Sequence, residues 1–301
     1  MSEEEKILAH IENSRITYEE RSKELVSVRM KIALEGFVSD IDIFQVAPEL
    51  TIRRAQIKER EAFYSRTTNP KDIEIKAKEN EYFAEFDFQI LRGAIHSLAP
   101  GNGINLVSIF FAVASPKILN IARGNFYLVK DGECQSAGFY TTPNEYRFTS
   151  KEQFSNDELS SMKALWPHFR NQFENNFSFA LVARRYFYSQ LRLSLDDRFI
   201  DLMISLEALL VPERSGTKGD KIAARLALML HPEFDRLEVE NLSHWAYRIR
   251  NKIIHGGQDR FAEAFDIETM SKYCRVAIQK YLTKYRGLSS KQLVKVLQPT
   301  P

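Results

Sequence analysis

Arg250, Asn251 and His255 are the residues of this chain best suited to chemistry, and they fall in one run, Trp245-Ala-Tyr-Arg-Ile-Arg-Asn-Lys-Ile-Ile-His-Gly-Gly257. An imidazole can take and return a proton near neutral pH. A guanidinium holds an oxyanion through a fork of parallel N–H donors, and a carboxamide can orient either group. The run has a helical pattern, and its double glycine is a stop signal. On a helix, Asn251 and His255 are four apart and share a face. Arg250 precedes His255 by five residues, about 140° around the helix and about 7.5 Å along it. Only a long side chain that curls back would then share a pocket with the imidazole. His255 is expected in the last turn, where exposed carbonyls and the helix dipole favour a cation.

Other polar residues surround this run in sequence terms. Glu207 sits in Asp197-Arg-Phe-Ile-Asp-Leu-Met-Ile-Ser-Leu-Glu-Ala-Leu-Leu210, and Arg225 in Lys221-Ile-Ala-Ala-Arg-Leu-Ala-Leu-Met-Leu230. Buried near Arg250, Glu207 would hold Arg250 or Arg225 in place. The alternative is that Glu207 and Arg225 form a structural ion pair. Lys218, Lys221, Arg184 and Arg185 could contact phosphates, although solvated surface positions are the simpler assignment. Arg250 and His255 also have a plain reading as helix-end cations. His96, His168, His231 and His244 have no neighbours at metal-ligand spacing, and Trp245 and Tyr247 read as packing residues.

The elements that would position these residues are helical. Asn156-Asp-Glu158 opens a short helix that Pro167 is expected to end or kink. Phe177 to Leu191 reads as a helix with a wide apolar face. Ser194 and Asp197 look like a capping box for the next, whose stripe is Phe199, Ile200, Met203, Leu206, Leu209 and Leu210, with Pro212 as its stop. A polar loop, Glu213 to Asp220, leads into a helix from Ile222 to Leu230. Asp235 is the expected cap of the helix that holds the central run. Asp266 should begin a last helix with core face Ile267, Met270, Tyr273, Cys274, Ala277, Ile278 and Tyr281. Four or five helices with short, antiparallel connections follow.

The first half reads differently. Residues 1 to about 35 carry apolar positions at helical spacing (Ile7, Leu8, Ile11, Leu25, Val28, Ile32, Leu34), which predicts one or two helices. The charged region from about 48 to 82, with Arg53-Arg54 and Lys58-Glu-Arg-Glu61, predicts a solvated helix and a turn near Thr67-Thr-Asn-Pro70. Gly101-Asn-Gly103 is a turn signal without the rest of a dinucleotide fingerprint. Val107 to Val113 is either a buried strand or a short buried helix. Asn125 to Tyr140 reads as two strands about an Asp131-Gly132 turn, closed by Thr141-Thr-Pro-Asn144. The expected class is therefore α+β, with a mixed α/β domain over residues 1–150 and an all-α bundle over 151–301.

Composition narrows the function classes. The 301 residues are 44% hydrophobic and 27% charged, which suits a globular protein with two cores. A formal charge of +2 does not by itself demand a nucleic-acid partner, so any basic surface must be local. Cys134 and Cys274 belong to no metal-ligand pattern and read as buried free thiols in a reducing compartment. The apolar run from Ile104 to Ala114 is too short to span a bilayer, and the amino terminus lacks a secretory layout. A cytoplasmic location with no membrane partner is expected.

The form Arg250-Asn251-x-x-x-His255 resembles the signature of the HEPN superfamily, whose members are all-α bundles and in many cases ribonucleases. The helix carrying Glu207 before Ala-Leu-Leu is similar to its counterpart in the Apea-like HEPN group, as is the following helix with Arg225, and Gly256-Gly257 fits too. The resemblance covers roughly residues 175–285. It implies an HEPN-like bundle and metal-independent endoribonuclease activity without a cofactor. His255 would be general acid or base, Arg250 would neutralise the phosphate, and Asn251 would orient the imidazole or a phosphate oxygen. Glu207 and Arg225 would be supporting residues. It also implies a homodimer through the bundle with RNA as partner, 2′,3′-cyclic phosphate products, and a role as toxin or antiphage effector. The first half would sense or restrain it through a regulatory partner or ligand. Two alternatives stand beside this: a non-catalytic HEPN module that binds RNA or a protein partner, and a ligand-sensing regulator run by the first domain.

Overall fold

The structure, a computed structural model, describes residues 23–65, 72–92, 99–117, 119, 123–130, 133–141, 151–212, 217–255 and 264–298. The class is α+β, an antiparallel sheet followed by a helical region. The chain divides into two compact units. The first is drawn from Met1–Val107 and Leu119–Leu159, the second from Ser108–Ile118 and Ser160–Pro301. The division thus falls a little beyond residue 150, and the second unit takes in a short segment from the first half.

The first unit is built on a six-stranded sheet in the order β3-β4-β5-β1-β6-β7. Its strands are β1 (Leu25–Ala33), β3 (Ile43–Ala47), β4 (Leu50–Arg54), β5 (Tyr82–Leu91), β6 (Arg123–Lys130) and β7 (Glu133–Thr141). Every pairing is antiparallel. Separately, β2 (Phe37–Val38) pairs in parallel with β8 (Glu152–Gln153), beside a stack of Phe37 on Phe154.

Leu25 to Ala33 corrects the helical expectation. Val28, Met30 and Ile32 are all buried while Arg29 and Lys31 between them are not, a period of two that fits a strand with one core face. Val28 and Ile32 are also four apart, so the same residues satisfied a helical count. The expected β6–β7 hairpin is present, and its Asp131-Gly132 turn lies outside the described residues, as do residues 1–22, 66–71 and 142–150.

The charged region from 48 to 82 is not one solvated helix. Arg53 and Arg54 end β4, followed by α1 (Ile57–Tyr64) and α2 (Ile73–Glu79). Phe63, Tyr64 and Ala77 from these helices pack with Ala33, Ala55 and Phe83 into a small core, against Ile73. Gly101-Asn-Gly103 is not a turn but lies within α3 (Ala99–Ala114). This also decides Val107 to Val113, which is a buried helix.

The second unit carries α4 (Asn156–Asn175), α5 (Phe177–Leu191), α6 (Leu195–Leu210), α7 (Lys218–Leu230), α8 (Arg236–Ile254), α9 (Ala264–Thr283) and α10 (Ser290–Val296). Three caps are formed, two of them, Ser194 and Asp235, at the positions the sequence predicts. Asn176 accepts from the Phe179 amide, Ser194 from Asp197 and Asp235 from Glu238, each satisfying an otherwise orphaned N–H. Pro167 does not end α4. Trp166 and Phe169 on either side are buried against Phe110, and this packing holds the helix through the lost hydrogen bond. The last helix is not the one from 264 to 283, because Ser289 opens α10 with a full capping box. Ser205 Oγ donates to the Val182 carbonyl at 2.8 Å and ties α6 to α5. Among the described residues, no helix is long and apolar enough to cross a membrane.

Candidate functional site

Helix α8 turns Val239, Ser243, Ala246 and Ile249 into the core, a three-four spacing that fixes its rotation. Arg250 and Asn251 follow on the flank and are half-buried. The helix ends at Ile254, and His255 is its C-cap rather than part of the last turn, at φ −88° and ψ 12°. Its amide donates to the Asn251 carbonyl at 3.1 Å, and the residue is exposed. Gly256 and Gly257 lie outside the described residues.

Arg250 is held from three sides. Its Nη1 donates to Asn251 Oδ1 at 3.0 Å. Its Nη2 stands 3.5 Å from Glu207 Oε2, and its guanidinium lies over the Tyr247 ring, 5.8 Å from the centroid. The other Glu207 oxygen is ion-paired with Lys218 Nζ. One carboxylate on α6 therefore serves two cations, one from the first turn of α7 and one from α8. The cluster keeps an excess positive charge, and a guanidinium with five N–H donors is only partly committed to these contacts.

Tyr247 is pinned from beneath by Gly219. A Cβ at 219 would meet Tyr247 Cδ1 at 2.5 Å and Cγ at 3.0 Å, so any larger residue there would force the ring to move. Tyr247 and Arg250 are three apart on α8, the spacing at which helical side chains meet. That spacing was the signal that could have marked Tyr247 as more than a packing residue. Trp245 does pack, edge-on to Phe199 at 6.4 Å.

Asn251 shares a helical face with His255, but its side-chain oxygen accepts from Arg250 Nη1 rather than from the imidazole. The guanidinium on the neighbouring residue is a charge-assisted donor, the stronger kind. Glu207 stands against Arg250 and Lys218, while buried Arg225 donates Nη1 to the Leu210 carbonyl at 2.7 Å and so closes the end of α6.

The remaining cations lie on other partners. Arg185 donates to Asp201 Oδ1 at 2.8 Å and Arg192 to Oδ2 at 3.0 Å, so buried Asp201 binds α5 to α6. The Arg184 guanidinium lies 5.1 Å over the Phe173 ring and the residue is exposed. Lys221 is half-buried in α7. His244 Nδ1 is 3.4 Å from Asp220, and His168 faces Arg286. Among the described residues no group of three or more His, Cys, Asp or Glu could hold a metal ion.

Chemically, the Arg250 cluster can bind an oxyanion, with Lys218 as a second cation at hand, and His255 offers a solvent-facing imidazole at the end of the same helix. No family model matches the chain, and neither a curated protein nor a solved structure matches it.

Proposed function

We propose that this chain is a metal-independent endoribonuclease of HEPN type, acting as a toxin or antiphage effector in the cytoplasm. The observation that carries the reading is the Arg250 clamp. Glu207, Asn251 and Tyr247 fix its guanidinium on a helix whose C-cap is His255. RNA brings its own nucleophile, the 2′-hydroxyl next to the scissile phosphate. As the O2′–P bond forms and the P–O5′ bond breaks, a base removes the 2′ proton and an acid returns one to the leaving 5′ oxygen. Arg250 stabilises the charge that builds on the phosphoryl oxygens, where a fixed donor contributes most. His255 moves a proton. The products are a 2′,3′-cyclic phosphate and a 5′-hydroxyl.

One imidazole per chain is meagre for a step that needs an acid and a base at once. The reading therefore includes a homodimer in which two α8 helices bring their Arg250 and His255 residues to one groove.

A second reading is favoured by one observation, the carboxylate already seated on Arg250. A guanidinium engaged by Glu207 suits a structural post in a non-catalytic module that binds RNA or a protein. The test that separates them is end-group analysis of RNA incubated with purified wild-type, Arg250→Ala and His255→Ala protein. The nuclease reading expects cyclic phosphate ends from wild type and a loss of about 100-fold or more in each variant. Absence of cleavage by wild type, or equal cleavage by His255→Ala, overturns it. RNA bound equally by wild type and His255→Ala, without cleavage, establishes the second.

A further inference from the structure

Glu207, Lys218 and Arg250 come from three helices and meet as one carboxylate between two cations. Gly219 brings α7 to this place, since its missing side chain lets the first turn lie against Tyr247 of α8. Lys218, one residue earlier, reaches the Glu207 oxygen that Arg250 does not.

The two cations do not hold the carboxylate alike. Lys218 Nζ donates a hydrogen bond to Oε1. Arg250 Nη2 stands 3.5 Å from Oε2, beyond the usual range of an N–H···O bond. Arg250 makes its firm donation to Asn251, from Nη1 at 3.0 Å. Among the described residues nothing is bonded to its Nε. The edge formed by Nε and Nη2 is therefore open, with a carboxylate standing just short of it.

A carboxylate and a guanidinium left to themselves prefer a fork, two oxygens on two parallel N–H groups. Arg29 and Asp87 in the first unit take that form, with Nε and Nη2 each donating at 2.7 Å. Exposure does not explain why Arg250 and Glu207 differ. Their side chains are 23% and 20% exposed, against 37% and 44% for Arg29 and Asp87. The pair less open to water has the stronger attraction, yet it is the looser one. What distinguishes it is Lys218, which commits one of the two oxygens and so prevents the fork.

We propose that Lys218 is a positioning residue of this site, holding Glu207 off Arg250 and so keeping the guanidinium open for an RNA phosphate. The inference rests on the reading of Arg250 as the phosphate holder and adds to it a control on phosphate access. Without the ammonium, Glu207 closes on Nε and Nη2 as Asp87 closes on Arg29. A phosphate must then displace a carboxylate before it binds. With the ammonium in place, two cations share one carboxylate, and the surplus charge is left at Arg250. Lys218 acts through Glu207 and not on the substrate.

The test is a fluorescence-anisotropy titration of the full chain with a labelled single-stranded RNA whose 2′-oxygens are methylated. This probe has no nucleophile, so binding is read apart from cleavage, and cleavage of the unmodified RNA is followed in parallel. Lys218→Met should weaken binding and raise KM by at least about tenfold, the worth of one charge-assisted hydrogen bond. Its kcat should stay within about twofold, because the carboxylate competes only with binding. In the Glu207→Gln background, Lys218→Met should change neither binding nor KM, since no carboxylate is left to close. Lys218→Arg, which keeps a charged donor, should stay close to wild type.

A direct phosphate contact by Lys218 predicts equal weakening in both backgrounds. A merely structural lysine predicts a loss that follows the melting temperature and reaches kcat as well. Either result overturns the proposal, as does absence of binding by wild type. RNA bound with the expected pattern but never cut leaves the proposal standing and removes the nuclease reading. RNA cut by wild type without that pattern does the reverse.

Discussion

Gly219 lies so close beneath Tyr247 that an added Cβ would stand 2.5 Å from the ring's Cδ1. The contact is at the base of the ring, which cannot swing aside as a flexible chain end would. Alanine for glycine in a helix ordinarily gains up to about 1 kcal/mol. Here the forced displacement of Tyr247 outweighs that gain, at a cost of about 1–3 kcal/mol for overpacking. Gly219→Ala should therefore destabilise the protein in urea denaturation. Adding Tyr247→Leu should recover part of the loss, because the clashing ring is removed. Strict additivity of the two changes would show that the contact does not set the position of Tyr247.

Glu207 is the counter-charge for both Lys218 and Arg250. Glu207→Gln leaves two half-buried cations facing each other with only a neutral amide between them. A loss of about 1–2 kcal/mol is expected, less than for a fully buried pair because water reaches the site. A double-mutant cycle with Arg250→Met should show coupling, since the second change removes one stranded cation. Independent effects would place Glu207 in the service of Lys218 alone.

The sequence made the second unit legible because its signals are local. Ser194 and Asp235 announce their helices through caps, and the stripes of α6 and α9 repeat every three or four residues. Pro167 does not end its helix, because the packing of Trp166 and Phe169 against Phe110 is a tertiary effect that no local rule contains. In β1, Val28 and Ile32 fit two periods at once, and only cross-strand pairing with Phe88 and Ala84 decides between them. In the site, Arg250 and Glu207 are 43 positions apart, and nothing in their spacing distinguishes a pair from two separate surface charges. The partnership of Gly219 with Tyr247 is less visible still, since it depends on how closely α7 approaches α8.

Pro167 is exposed in the interior of α4 and deprives the helix of one amide donor, the one that would reach the Lys163 carbonyl. Alanine at this position restores that bond without disturbing the core, because the buried neighbours Trp166 and Phe169 stay where they are. Pro167→Ala should stabilise the protein by about 1–3 kcal/mol, the upper end being the full propensity difference. A lower melting temperature would mean that the proline sets a bend the aromatic cluster requires.

Glu59 accepts from Arg53 and Lys31, and these hydrogen bonds hold its carboxyl at about 2 against an ordinary 4.5. Its pKa is lowered on folding, so its contribution is complete above about 4.5 and disappears as the pH falls through about 2. Glu59→Gln should lower stability at neutral pH, with the gap from wild type narrowing steadily across that acid window. A gap that stayed constant from neutral pH down to the bottom of the window would show that the charge on Glu59 does not stabilise the sheet.

Cys274 is fully buried in α9 with its sulfur 3.4 Å from Ser205 Oγ, and burial pushes its thiol up to about 12. Because only the thiolate attacks an alkylating agent, the group stays protonated and inert at any pH where the protein is handled. Iodoacetamide at pH 8 should leave the Cys274 peptide unmodified in the native protein and label it fully in denaturant, as read by peptide mass mapping. The rate of native labelling then reports how often α9 opens from α6, since modification must wait for that event. Substitution of Ser205 by alanine should raise the rate by loosening this contact. Labelling of Cys274 in the native protein as fast as in denaturant would mean that the α6–α9 core opens on the timescale of the reaction.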